Sequence, residues 1–260
     1  MIRALIMITG LLSLFATSVQ AAPTRVVADL SEQQVGITSS YHGTELLLFG
    51  AVEGIPGDDV IIVVTGPETR MAQRRKDKVA GIWVNVETNI WENAPSFYHV
   101  YTTRLIDQIA DFETLTASGI GTASLDLKVA PAPKRNDGDR NAAPAEPLDA
   151  AAMTGTLIRN LQNMGLWKIH HAGIKILGDR LFRATLQLPK NVPPGDYKIR
   201  VVHFRDGIAI GQETTDMVIK KAGLSALIYK FAHEYSLFYG LFAIAFAVGS
   251  GWLAAVAFRR

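Results

Sequence analysis

The sequence contains no cysteine. An exported chain without it gains no disulfide support and offers no thiolate for catalysis or metal binding, so its stability must come from a packed core. Catalytic signatures are missing too. There is no Gly-x-Ser-x-Gly elbow, no phosphate-binding P-loop and no His-Glu-x-x-His, and Gly119-Ile120-Gly121 lacks the third glycine of a dinucleotide loop. These absences point to a protein that is not an enzyme and carries no cofactor. Nor is there an excess of one charge. Setting Arg3, Arg259 and Arg260 aside from 26 Lys plus Arg leaves 23 cations against 24 Asp plus Glu, a net of about −1. That balance supplies no overall field to hold nucleic acid or an anionic membrane surface.

What is present is a long apolar run at the far end. Leu237 to Phe258 reads LFYGLFAIAFAVGSGWLAAVAF, has no charge and no proline, and is followed by Arg259 and Arg260. At roughly 1.5 Å per residue, a helix of this length crosses a hydrocarbon core of about 30 Å. Tyr235, Tyr239 and Trp252 sit as interfacial anchors and the two arginines as a stop. Ala243, Ala247, Gly251 and Ala255 recur every fourth residue, giving one face narrow enough for another helix to approach closely. Alanine and glycine are also ordinary components of membrane spans, which is the plainer reading of the same stripe.

The other end, MIRALIMITGLLSLFATSVQAAP, has one cation, an apolar run too short to span, and small residues at Val19 and Ala21. It reads as a signal peptide, residues 1–21, cut after Ala21. The expected topology is then an exported domain, one span at 237–258 and a cytoplasmic tail at 259–260.

Between these ends, residues 22–102 read as strands. Val35 to Tyr41 alternate; Leu46 to Phe49, Val60 to Val64, Ile82 to Val86 and Phe97 to Tyr101 are short β-branched and aromatic runs, with turn signals at Gly54 to Asp59, Thr65-Gly66-Pro67 and Asn93-Ala94-Pro95. From 103 to 165 the pattern becomes helical. Leu105, Ile106, Ile109, Phe112 and Leu115 share a helical face behind a Thr103 cap, predicting about 12 residues of helix. A proline- and alanine-rich stretch at 129–147 reads as an extended loop. A second helix is predicted from about Leu148 to Met164, burying Leu157, Ile158, Leu161 and Met164, with Gly165 as its stop. Strands resume over 166–222, with Asp206-Gly207 as a hairpin turn. Neither β block has enough strands to close a sandwich alone. The expected fold is therefore mainly β: one immunoglobulin-like antiparallel sandwich with an inserted helical pair, a helical stem at 223–236, and one C-terminal transmembrane helix.

Candidate site residues are few. Arg70, Arg74, Arg75, Lys76 and Lys78 form the densest charge cluster and could bind sulfate, phosphate or lipid headgroups; a solvated strand edge explains them equally simply. Of six histidines, none has the i, i+2 or i, i+4 spacing of metal ligands, and the adjacent His170 and His171 would face opposite ways on a strand. No metal site follows, the only weak candidates being His42 and His203 meeting across the sandwich. Trp83, Trp91, Phe97 and Tyr98 read as core aromatics.

Several separated motifs carry a likeness. Tyr41-His42-Gly43, Thr65-Gly66-Pro67, Arg75-Lys76 before Val79-Ala80-Gly81-Ile82-Trp83-Val84-Asn85, Pro95-Ser96-Phe97-Tyr98, Leu181-Phe182-Arg183-Ala184, Val192-Pro193-Pro194-Gly195 and Phe258-Arg259-Arg260 together resemble the alphaproteobacterial putative transmembrane protein family. The resemblance implies a bacterial inner-membrane protein with a periplasmic ectodomain and carries over no functional residues. It also implies, through neighbours resembling sulfite exporter permeases, a transport-related partner. From sequence, then, the expected function is a membrane-anchored accessory or assembly protein contacting a multispan membrane protein such as a permease. The alternative is a periplasmic binding module for a small anion or metal ion.

Overall fold

A computed structural model describes residues 25–79, 81–130 and 150–258. The predicted signal peptide, nearly all of the 129–147 loop and the 259–260 tail lie outside the described residues.

Strand β4, Asp59–Thr65, shows how the fold is layered. Its residues Val60 to Val64 are all at most 2% exposed, and a strand buried on both alternating sides must be covered on both faces. Neighbouring β7, Tyr98–Thr102, places Tyr101 opposite Ile62, and the Tyr101 hydroxyl accepts the Gln187 N–H of β11, Leu181–Pro189, at 2.8 Å. That face therefore meets a second sheet. On the other face, Val63 lies opposite Arg200 of β12, Gly195–Arg205, whose guanidinium donates to the carbonyls of Ser118 and Gly119 at 2.5 and 2.7 Å. This side is covered by the helical insertion.

The facing sheet has the order β1 (Val26–Leu30), β3 (Gly43–Val52), β11, β10 (Ile174–Leu177), and all its pairings are antiparallel. The larger sheet runs β2 (Gln34–Ile37), β13 (Ile208–Lys221), β12, β4, β7, β9 (Trp167–His170). Strands from both ends of the sequence thus interleave in two packed, mostly antiparallel sheets. Its edges depart from the expected antiparallel pattern, since β2 with β13 and β7 with β9 are parallel. A parallel pair needs a long crossover, and between β7 and β9 the helical insertion supplies it.

The insertion is less regular than predicted. In place of one helix capped by Thr103 there are two short ones, α1 (Ile106–Ile109) and α2 (Phe112–Ala117). Asp111 makes the break: Ala110 and Asp111 are extended, and the Asp111 carboxylate accepts from Thr114 N–H at 2.7 Å, capping α2 afresh. Thr103 donates instead to Asp59, while Leu105 and Phe112 are exposed. Helix α3, Ala150–Asn163, buries Met153, Leu157 and Leu161; Met164, expected inside, is exposed. The helix ends ahead of Gly165, with Leu166 N–H bonded back to the Leu161 carbonyl.

The sequence shows no strand pattern where β5, Glu68–Val79, lies, and the plainer reading of its cations as a solvated strand edge fits this strand. It forms a long hairpin with β6, Ile82–Pro95, and β8, Lys128–Val129, adds a short third strand. Asn93-Ala94-Pro95, expected as a turn, falls inside β6. Trp91, Phe97 and Tyr98 are core residues, but Trp83 is not: near the hairpin tip it is 67% exposed. After β13, helix α4 (Leu224–Glu234) and helix α5 (Ser236–Ala257) complete the chain, separated by a break at Tyr235.

Candidate functional site

Helix α5 is 22 residues long, apolar along its length and without a charged residue, and none of it is buried against the rest of the protein. Its length of about 33 Å, at 1.5 Å per residue, suffices for a bilayer. Ala243, Ala247, Gly251 and Ala255 lie along one face and are all exposed; a Cβ placed on Gly251 would meet nothing. The structure brings these four together as a stripe; Ala243 at its upper end lines a groove with Ile228 and Phe231 of α4, and none of the four is buried among the described residues.

Strand β5 carries the basic cluster, and every member is exposed. The five cations do not converge on one point, although Arg74 and Arg75 both line a cavity with Asn89 and with Thr156 of α3. From Arg70 to Lys78 the strand spans about 27 Å at roughly 3.4 Å per residue, so they form a rail along the hairpin rather than a cup around a small anion. Arg74, Lys76 and Lys78 alternate onto one side, and Arg75 reaches Asp77 on the other at 3.8 Å. Lys78 lies directly opposite Trp83, and Lys76 opposite Asn85.

His42 and His203 do not meet. His42 is an exposed residue just before the start of β3, whereas His203 pairs with Val60, beyond the turn that follows the end of β3. A strand of ten residues, about 33 Å, separates the two ends. His203 is fully buried and donates from Nε2 to Asp58 Oδ2 at 2.8 Å; Arg205 grips the same carboxylate through Nε and Nη2 at 3.0 and 2.8 Å. Burial alone would raise the Asp58 carboxyl, but the bonds from Arg205, the Ile55 N–H and His203 outweigh it and hold it down to about 2. Next door, Arg104 clasps Asp59 at 2.6 to 3.1 Å. This double carboxylate at the sandwich end locks the β3–β4 turn to β12 and β7, which is structural work.

A second histidine pair escaped the sequence reading. His99 on β7 is buried and donates from Nε2 to the Gly165 carbonyl at 3.1 Å, leaving Nδ1 to accept from His170 Nε2 at 3.2 Å. Burial pushes both imidazoles down to about 4, so the pair is neutral and the tautomers are fixed. His170 also stacks on Tyr101, with centroids 4.3 Å apart. Among the described residues no group of three or more His, Cys, Asp or Glu could hold a metal ion.

A family described as putative transmembrane protein (Alph_Pro_TM) matches residues 25–260. The chain belongs to this family. The match spans the β-rich domain, the insertion and α5, which is the single candidate span among the described residues, and supports a single-pass membrane protein. No curated protein matches.

Within this family member, the residues that tie the domain together were hidden from a reading by spacing. His99 and His170 stand 71 positions apart and Asp58 and His203 stand 145 apart. Only strand pairing makes them neighbours. The one available signal was Asp58-Asp59 beside the apolar run of β4, a place where two carboxylates need partners.

Proposed function

We propose that the protein is a non-enzymatic accessory or assembly protein of the bacterial inner membrane, with its sandwich in the periplasm and its C-terminus in the cytoplasm, that contacts a multispan membrane protein such as a permease. The observation carrying this reading is the uncovered small-residue face of α5: association in lipid depends on close packing, and Ala243, Ala247, Gly251 and Ala255 offer it. The buried polar groups of the domain support it in a second way. Asp58, Asp59 and the Nε2 of His203 are engaged by partners inside the fold, while His99, bonded to the Gly165 carbonyl, also lines a shallow cleft with Glu45 and Lys168. A small-anion or metal module has less support, since the cations form a rail and His42 and His203 lie at opposite ends.

The test is Gly251→Leu with Ala247→Leu in the full chain, followed by photo-crosslinking from a probe at Ala243 in native membranes. Loss of a discrete crosslinked membrane protein, with insertion unchanged, is expected. Crosslinks that survive both substitutions would remove the packing face from the proposal.

A further inference from the structure

The β5–β6 hairpin carries a feature that the span does not account for. At its tip, directly after Gly81, three apolar residues stand in the open: Ile82 is 68%, Trp83 67% and Val84 39% exposed. Behind them come cations. Cross-strand partners share a face, so Lys78 flanks Trp83 and Lys76 follows on the same face two pairs further down, while Asp77 and Val84 pair on the opposite face. The hairpin is thus graded along its length, apolar at the end and cationic behind, with long lysine stems able to lie beside the ring while their ammonium groups stay in water. That gradient is the one a bilayer surface presents, apolar inside and anionic at the headgroups.

The hairpin also starts at the right place. Its root is fastened by Gly66 N–H to the Phe97 carbonyl and by Ser96 N–H to the Pro67 carbonyl, at 2.8 and 2.9 Å. Pro67 packs on Gly195, where a Cβ would lie 2.6 Å from Pro67 Cγ, and Gly195 is paired with Ile219, two residues before β13 ends at Lys221. The chain then leaves through α4 to the span. The root and the exit to the membrane therefore share one end of the sandwich. With 12 residues in β5, the hairpin reaches about 40 Å, ample to return to the surface from there.

We infer that the β5–β6 hairpin is a second membrane contact, in which Ile82, Trp83 and Val84 enter the headgroup region of the bilayer and Arg74, Lys76 and Lys78 bind anionic phospholipid. A cationic rail suits a sheet of charge better than one small anion.

The absence of cysteine makes the test direct. Full-length Ile82→Cys, spin-labelled, is reconstituted in phosphatidylcholine vesicles with or without phosphatidylglycerol, and its accessibility to oxygen is compared with that to a water-soluble nickel chelate. A label at Ile208→Cys, at the far end of β13 and 64% exposed, serves as the control. A several-fold higher oxygen-to-nickel ratio at position 82 than at 208 is expected when phosphatidylglycerol is present, and Lys76→Glu with Lys78→Glu should abolish it. Equal ratios at the two positions in phosphatidylglycerol vesicles would overturn the inference. So would crosslinking of the tip to another protein in cell membranes with no response to phosphatidylglycerol, which assigns the hairpin to a protein partner.

Discussion

His203 donates its Nε2–H to Asp58 at 2.8 Å across 145 residues of sequence, and both side chains are nearly sealed from water, at 0% and 4% exposure. The bond ties the turn after β3 to the end of β12, so it closes one end of the sandwich. Removing one partner of such a pair leaves the other buried without compensation. Asp58→Ala should therefore destabilise the protein by about 3 kcal/mol, the lower end of that class because Arg205 is partly exposed and can turn to water. Urea unfolding of the full chain in detergent measures this as a lowered midpoint at unchanged slope.

Acid should act in two separate windows. His99 and His170 are held neutral, with folded values near 4 against an ordinary 6.5. Between those values the unfolded chain binds more protons than the folded one, so stability falls as pH drops from 6.5 towards 4. Asp58 is depressed from 3.8 to about 2, so its contribution is complete above 3.8 and is lost only as pH falls towards 2. Unfolding midpoints measured across both ranges should show His170→Phe reducing the upper window alone, with His99 left to titrate in it, and Asp58→Ala removing the lower alone.

How much of this was legible beforehand follows from which interactions are local. The unbroken run Val60 to Val64 announced a strand buried on both faces, and the charge-free stretch from Leu237 announced the span. Strand β5 was hard to read because its sequence, ETRMAQRRKDKV, shows no apolar alternation; pairing with β6 makes it a strand. Trp83 was misplaced with Trp91 because both look like core residues and only their distances from the hairpin root differ. The histidines were paired wrongly because strand direction, not proximity of type, decides which ends meet.

The hairpin's exposure has a consequence for stability. Trp83 makes few contacts to lose, so Trp83→Ser should change the unfolding free energy by less than about 0.5 kcal/mol, the ordinary range for surface sites. Trp91→Phe, in contrast, removes the indole that donates to Gln73 at 2.9 Å and should cost roughly 1 to 2 kcal/mol. Thermal unfolding of the two variants side by side checks the contrast, which a hairpin packed against the domain at its tip would reverse.

Gly50 offers the sharpest steric prediction. It lies in the middle of β3, paired with Ala28 on one side and Phe182 on the other. A Cβ there would strike the backbone carbonyl of Val27 and the ring of Phe182, whose Cε1 would be 2.8 Å away. Replacing glycine by alanine in a strand normally gains about 0.5 to 1 kcal/mol, because the unfolded chain loses freedom. Here overpacking should reverse the sign, with Gly50→Ala costing about 1 to 3 kcal/mol. The ring can be trimmed but the carbonyl cannot. Phe182→Leu in the Gly50→Ala background should therefore recover only part of the loss, and a double-mutant cycle on unfolding free energies isolates that part. Full recovery would mean that β1 can shift away from β3, and that the edge of this sheet is softer than its five paired residues suggest.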